Sequence, residues 1–201
     1  MEQYMKVLKS YKRMPRTLED YLRENVKPIS FPNGSIIQKK GRLCKHIYFI
    51  EKGVVAISYG ERITRFKKEN DFIISYYVGS GKDIKLDAPR IEALEDVTAW
   101  DFTPTLLDDV FERFVEFNQH LMIMMVKDMI PTERMNTLCR EEDSPSLLYD
   151  YLRQHTPDLL TRLAPKHLAS FLGVPEQVLL HMTGSNIRTP INMTRRRRKR
   201  S

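Results

Sequence analysis

The sequence predicts an α+β chain in which a helix and an antiparallel β-roll or jelly roll precede a long helix and a compact helical unit. Three observations predict this order. From residue 29 to residue 102, short runs rich in Ile, Val, Phe and Tyr alternate with Gly, Asn, Asp and Lys. Apolar residues then crowd residues 104–140. In residues 165–182 an alanine and a glycine stand four positions apart inside an apolar frame.

The β-roll is predicted from strand-like runs at regular spacing. The clearest strands are residues 47–50, 54–59 and 63–66, with turn residues at 51–53 and 60–61 between them. Residues 91–93 and 97–102 supply the strands that close the sheet. We therefore expect one domain over residues 1–103, made of this roll and an N-terminal helix.

Two helical regions flank the predicted roll. Residues 1–28 carry a weak apolar stripe, with a helix start near Pro15 and an end at Pro28. Residues 104–140 start well, because Thr103 caps the helix and Pro104 suits its first position. This helix is apolar on so much of its circumference that we expect it to be buried against the roll and against a second subunit. Residues 104–142 are thus the predicted linker and dimerisation helix, broken at Asn118 and kinked at Pro131.

The C-terminal unit, residues 143–193, contains the most specific pattern in the chain. A helix from Ser144 to about His155 is expected to stop at Pro157, and two short helices follow in residues 161–183. A helix-turn-helix needs a small residue where its helices cross, a glycine in the turn and apolar residues inside the corner. Those positions hold Leu168, Ala169, Leu172, Gly173, Val174, Leu179 and Met182. An ordinary αα-corner is the alternative interpretation of this pattern. In the helix-turn-helix interpretation, the helix that enters the major groove is Pro175 to Met182.

The charge and the compartment follow from composition. The 201-residue chain has a net charge of +7, and six positive charges lie in residues 195–200 of the basic tail, residues 194–201. Such a run suits phosphate contact, but a solvated end is equally compatible with it.

The longest apolar run, residues 121–126, is far shorter than the ~18 residues of a membrane span. With no signal-peptide core and with Cys44 and Cys139 isolated, we expect a cytoplasmic protein with free thiols.

Four segments carry a family resemblance: Tyr48-Phe49-Ile50-Glu51-Lys52-Gly53, Glu69-Asn70-Asp71-Phe72, Ile91-Glu92-Ala93-Leu94-Glu95-Asp96 and Leu168-Ala169-Ser170-Phe171-Leu172-Gly173-Val174. With them the chain resembles the CRP/FNR family of transcription regulators over roughly residues 25–182. The resemblance implies a cyclic-nucleotide-type β-roll as sensor domain, a dimerisation helix, a DNA-binding C-terminal domain, and a homodimer on double-stranded DNA.

The expected ligand motifs of that family are missing. Residues 71–77 read Asp-Phe-Ile-Ile-Ser-Tyr-Tyr, without the Gly-Glu that holds a ribose, and Asp87 falls where an arginine would hold the phosphate. We therefore do not expect cyclic AMP to bind in the standard way, and no cofactor is assigned. A different small effector in the same roll stays open, and so does a plain barrel-and-loop role for the candidate residues Ser75, Tyr76, Tyr77, Lys82 and Lys85. Two cysteines are too few for a four-cysteine iron–sulfur cluster, and His46 is expected to be a surface residue.

The predicted recognition helix departs from the family as well. In place of its Glu and Arg the chain has Gln177, Leu180 and His181, so an unusual or weak base preference is expected. Gln pairs with adenine, His donates one bond to guanine, and leucine offers an apolar surface to a thymine methyl. The expected phosphate contacts are Lys166, His167 and Arg188, with Arg195, Arg196, Arg197, Arg198, Lys199 and Arg200 in the basic tail.

Two functions therefore compete. One is a homodimeric DNA-binding transcription regulator. The other is a ligand-binding or protein-interaction module of the same fold that has lost specific DNA recognition. An enzyme is not expected, because the sequence shows no Ser-His-Asp, metal-ligand or Walker-type spacing.

Overall fold

A computed structural model describes residues 2–42, 46–74, 88–138 and 144–183. The chain divides into two compact units, Met1–Thr137 and Leu138–Ser201. Among the described residues, no helix has both the length and the apolar character needed to cross a bilayer.

The first unit contains two helices, eight strands and two further helices in its described part. The elements are α1 (Gln3–Tyr11), α2 (Arg16–Asn25), β1 (Lys27–Phe31), β2 (Ile36–Gln38), β3 (Ile47–Lys52), β4 (Val55–Tyr59), β5 (Arg62–Lys67), β6 (Phe72–Ile74), β7 (Arg90–Ala93), β8 (Val97–Phe102), α3 (Pro104–Arg113) and α4 (Val115–Leu138). The strands form two four-stranded sheets, in the orders β1-β8-β3-β6 and β2-β7-β4-β5. Every pairing is antiparallel, as predicted.

The alternation of side chains along β3 shows how the roll is layered. Tyr48 and Ile50 belong to a buried cluster that also holds Val55, Ile57 and Ile91 of the second sheet. The side chains between them point the other way, because successive residues of a strand face opposite sides. Thus Ile47 and Phe49 join a second buried cluster with residues of the helices. One cluster fills the roll and the other attaches the helices to its first sheet.

Tyr4 of α1 is the centre of the helical layer. Its ring lies 5.3 Å from Trp100, 5.6 Å from Phe102 and 6.3 Å from Phe49 in centroid distance. These are ordinary aromatic packing distances. Burial raises the pKa of the Tyr4 phenol well above its usual range, and its hydroxyl donates to Leu22 O over 3.4 Å. The N-terminal helices are therefore part of the core rather than an appendage.

Helix α4 has two different sides. Phe117, His120, Met124 and Asp128 are buried, at the three- and four-residue spacing of one helix face. Nδ1 of His120 lies 3.1 Å from Glu116 O, and Nε2 lies 3.3 Å from Lys12 O in the segment after α1. The opposite side is apolar and exposed: Val115, Met122, Val126, Met129 and Ile130.

Several predicted boundaries are wrong. The break in the long helix falls at Phe114, not Asn118, and the Phe114 ring packs 5.3 Å from Tyr21 of α2. The first helical region is two helices, and Pro28 lies inside β1 because the chain is already extended at Val26. Helix α4 continues through Pro131 to Leu138, so a kink there stays a prediction.

The second unit consists of helices in its described part: α5 (Ser144–His155), α6 (Pro157–Arg162), α7 (Pro165–Leu172) and α8 (Glu176–Met182). The prediction of two short helices after Pro157 missed α6. Proline suits the first position of a helix, so Pro157 ends α5 and also begins α6. The buried side chains Leu148, Leu152, Leu159 and Leu163 bring α5 and α6 into the same core as α7.

Candidate nucleic-acid interface

A glycine in the left-handed backbone conformation forms the turn between α7 and α8. Gly173 has φ 73° and ψ 29°, and its N–H donates to Ala169 O at the end of α7. The N–H of Val174 donates to the same carbonyl over 3.1 Å. Paired bonds of this kind close a helix when the capping residue adopts the left-handed conformation, which favours glycine. The glycine predicted for the turn therefore occupies it.

Four of the six apolar residues predicted to fill the corner are buried, and the other two, Val174 and Met182, are partly buried. Leu168, Ala169 and Leu172 of α7 and Leu179 of α8 are all buried. A small side chain at Ala169 lets the second helix approach the first closely. Phe171 is buried too, although the sequence pattern did not single it out.

Helix α8 begins one residue later than predicted. Pro175 is the N-cap residue, in an extended conformation, and its carbonyl accepts from Leu179 N over 3.1 Å. Thr183 closes the other end, where its hydroxyl donates to Leu179 O over 2.9 Å. These bonds define the two ends of the short helix, and the buried Leu179 marks the side that faces the corner.

The side of α8 opposite the corner carries the predicted base-contacting residues. Gln177 and His181 are exposed and lie one turn apart, so they share a face. Leu180 is 45% exposed. Val178, which the sequence pattern did not single out, is 43% exposed. The spacing alone identifies it, because a helix that buries Leu179 turns the preceding residue outward.

Positive charge follows the corner in the sequence rather than surrounding it. Residues 144–183 contain three Lys and Arg and three Asp and Glu, whereas residues 184–201 contain seven Lys and Arg and no Asp or Glu. Helix α8 itself has no Lys or Arg, and Glu176 is its one acidic residue. Lys166, in the first turn of α7, is exposed, and the neighbouring His167 is partly buried.

Most of the remaining candidates lie outside the described residues. They are Arg188 and the basic-tail residues Arg195, Arg196, Arg197, Arg198, Lys199 and Arg200, together with the proposed effector residues Ser75, Tyr76, Tyr77, Lys82 and Lys85. Their roles stay predictions.

The expectation that His46 is a plain surface residue is wrong. Its Nδ1 lies 2.8 Å from Oδ1 of Asp101 on β8, and its ring stacks on Tyr48 with centroids 5.5 Å apart and planes 11° from parallel. Because β3 and β8 are paired so that Tyr48 lies opposite Asp101, His46, Tyr48 and Asp101 gather on the inner face of the first sheet. Within the described ranges, no group of three His, Cys, Asp or Glu side chains is placed to hold a metal ion.

No protein-family model matches the sequence, and no curated protein matches it. Solved structures match it in fold. FixK2 from Bradyrhizobium japonicum has a TM-score of 0.64 at 15% identity, covering 80% of this chain and 83% of that one. CLP from Xanthomonas campestris, a regulator responsive to c-di-GMP, has a TM-score of 0.63 at 12% identity, covering 85% and 91%. A chain from Eubacterium rectale assigned to the CRP/FNR family has a TM-score of 0.67 at 12% identity, covering 88% and 87%.

These matches extend over most of each chain. At such identities they establish the architecture. The chain has the CRP/FNR-like fold.

Proposed function

We propose that the chain is a homodimeric, DNA-binding transcription regulator that acts in the cytoplasm. The observation that carries the proposal is the glycine corner between α7 and α8. Its buried residues orient α8 so that Gln177 and His181 face outward, as the recognition helix of a helix-turn-helix requires. The fold shared with FixK2 and CLP supports the same assignment.

Each region takes one role in this proposal. Residues 1–103 form the sensor domain, residues 104–142 the dimerisation helix, residues 143–193 the DNA-binding domain and residues 194–201 a basic tail. Lys166 would contact a phosphate beside the groove, and the tail would add affinity that does not depend on base sequence.

The exposed apolar side of α4 supports a homodimer. Met122 is 64% exposed, and Val115, Val126 and Met129 lie on the same side of the helix. A helix apolar on both sides is normally buried on both. A second copy of α4 packed on this side would cover it, and a two-fold dimer presents two recognition helices to half-sites about one DNA turn apart.

The sensor domain would respond to a small effector. Cyclic AMP bound in the standard way is not expected to be that effector. CLP, which shares the fold, responds to c-di-GMP, and this supports a small ligand as the effector class. The residues to test first remain Ser75, Tyr76, Tyr77, Lys82 and Lys85. The inner face with His46, Tyr48 and Asp101 adds polar groups within the same roll.

Binding to a pool of random-sequence duplexes tests the DNA proposal. We expect salt-sensitive binding, followed by enrichment of a two-fold symmetric site over rounds of selection. Gln177→Ala should weaken the enrichment while leaving the fold intact, because its side chain is exposed. Failure to bind any duplex at low salt would rule out the proposal.

The second candidate is an interaction module of this fold without specific DNA recognition. The exposed Val178 and Leu180, on a helix that lacks Lys and Arg, favour it. It predicts that no sequence is enriched from the duplex pool and that removal of residues 194–201 abolishes all DNA affinity. An enriched site that survives this deletion would exclude it.

A further inference from the structure

Two apolar side chains flank the outermost face of α8. Successive helical residues are turned by about 100°. Gln177 and His181 therefore lie nearly opposite the buried Leu179. Leu180 falls on one side of this pair and Val178 on the other, and each exposes more than two fifths of its surface. The prominent face of the helix is thus a polar strip between two apolar edges.

These edges are not needed for the corner. Leu168, Leu172 and Leu179 fill it, and all three are buried. Single exposed apolar residues are common on protein surfaces. Here, however, two of the seven residues of α8 are exposed and apolar, and they bracket the face that a DNA groove would receive. Their placement therefore indicates that both side chains belong to the surface through which α8 contacts a partner.

The major groove has one apolar group on its base edges, the 5-methyl of thymine. Gln is suited to the N6 and N7 atoms of adenine, the partner of thymine. Guanine is instead recognised by bidentate Arg or Lys, which α8 lacks. A carboxylate only accepts hydrogen bonds, so Glu176 makes no contact with guanine and finds one donor in a G·C pair, cytosine N4, while His181 donates a single bond.

We propose that α8 recognises A·T base pairs, with Leu180 and Val178 packed against thymine methyl groups and Gln177 paired with adenine. This inference rests on the proposed DNA-binding function and names the class of base pair that the helix selects. Specificity then comes from apolar contact at the edges of the helix and from one bidentate contact between them.

Removing single methyl groups from the DNA tests this directly. A duplex enriched from the random pool by the full chain is remade with each thymine in turn replaced by deoxyuridine, which lacks only the 5-methyl. We expect binding to weaken about fourfold at each contacted methyl, and at two positions in each half-site. Leu180→Ala should remove the effect at one position and Val178→Ala at the other.

Lys166→Ala is the matched control. It should weaken binding to the thymine and deoxyuridine duplexes equally, because a phosphate contact carries no base information. The alanine variants at positions 178 and 180 truncate exposed side chains, and far-UV circular dichroism checks that the fold is retained.

Three results would overturn the inference. They are an enriched site made of G·C pairs, an A·T-containing site at which no deoxyuridine changes the affinity, and methyl effects that persist in both variants. Each leaves the proposed DNA binding standing. A chain that binds no duplex at low salt overturns both.

Discussion

Nη1 of Arg65 on β5 lies 2.9 Å from Oδ2 of Asp128 on α4. Lys67, two residues further along β5, contacts the other carboxylate oxygen. The Asp128 side chain is 6% exposed, so this ion cluster is shielded from solvent. It joins a strand of the second sheet to the long helix and fixes the position of α4 on the roll.

We expect Asp128→Ala to lower the free energy of unfolding by about 3 kcal/mol or more. In this variant Arg65 and Lys67, which are largely buried, lose the carboxylate that they contact. Asp108→Ala, which removes an exposed carboxylate on α3, is the control and should change stability by less than about 0.5 kcal/mol. Urea denaturation measures both, and equal losses would contradict the importance of the cluster.

Alanine substitutions at Gly53 and Gly34 distinguish the cost of backbone strain from the cost of steric overlap. Both have positive φ, 108° and 81°. A Cβ on Gly53 would lie 2.7 Å from Val97 Cγ2 and 2.9 Å from Asp96 O, whereas a Cβ on Gly34 meets nothing within 4 Å. We expect Gly34→Ala to cost about 1–2 kcal/mol from its φ alone. Gly53→Ala should cost at least about 1 kcal/mol more, from overlap with the backbone. Thermal unfolding of the two variants gives this difference, and equal losses would refute the overlap.

Two carboxyl groups should affect stability with opposite dependence on pH. The hydrogen bonds from Lys9 and Arg23 lower the pKa of Glu19 below its ordinary 4.5. Its stabilising contribution is therefore complete above pH 4.5 and is lost as pH falls through the lowered value. Burial raises the pKa of Asp71 above its ordinary 3.8. Its protonated form is favoured by folding, so stability is gained as pH falls through the raised value toward 3.8.

The variants Glu19→Gln and Asp71→Asn isolate these contributions. As pH is lowered from 7 to about 3, the free energy of unfolding of the unmodified chain should fall relative to that of Glu19→Gln. Over the same range it should rise relative to that of Asp71→Asn. Urea midpoints at several pH values measure both differences. Slopes of the same sign would show that one pKa direction is wrong.

Met122→Glu tests the association of two α4 helices. A carboxylate on the exposed apolar side would be buried without a partner in a dimer, at a cost of several kcal/mol. We expect a monomer in sedimentation equilibrium, with a circular dichroism spectrum that is unchanged because Met122 is 64% exposed. Leu147→Glu, an equivalent change of an exposed leucine on α5, should leave the dimer intact. If Met122→Glu stays dimeric, the interface lies elsewhere.

Features fixed by nearby residues were predictable from the sequence. The strands around Tyr48 and Val55 follow from alternating apolar residues and glycine turns, and the corner at Gly173 follows from a spacing within a few residues. Both were found as predicted.

Features that depend on distant residues were not predictable. The helix breaks at Phe114, where a ring from α2 packs against it, and His46 pairs with Asp101, which is 55 positions away. Val178 is a different case. Its exposure follows from the helical period, because Leu179 next to it faces the corner, yet the sequence pattern did not single it out.

We expect α8, rather than the basic tail alone, to give the chain its DNA sequence preference. The most direct measurement is the ratio of affinities for the selected duplex and for a shuffled duplex, made with the full chain and with a chain lacking residues 194–201. We expect the deletion to weaken binding to both duplexes, because phosphate contacts are lost, and to leave the ratio unchanged. A ratio that falls to one when residues 194–201 are removed, or that is already one in the full chain, would contradict it.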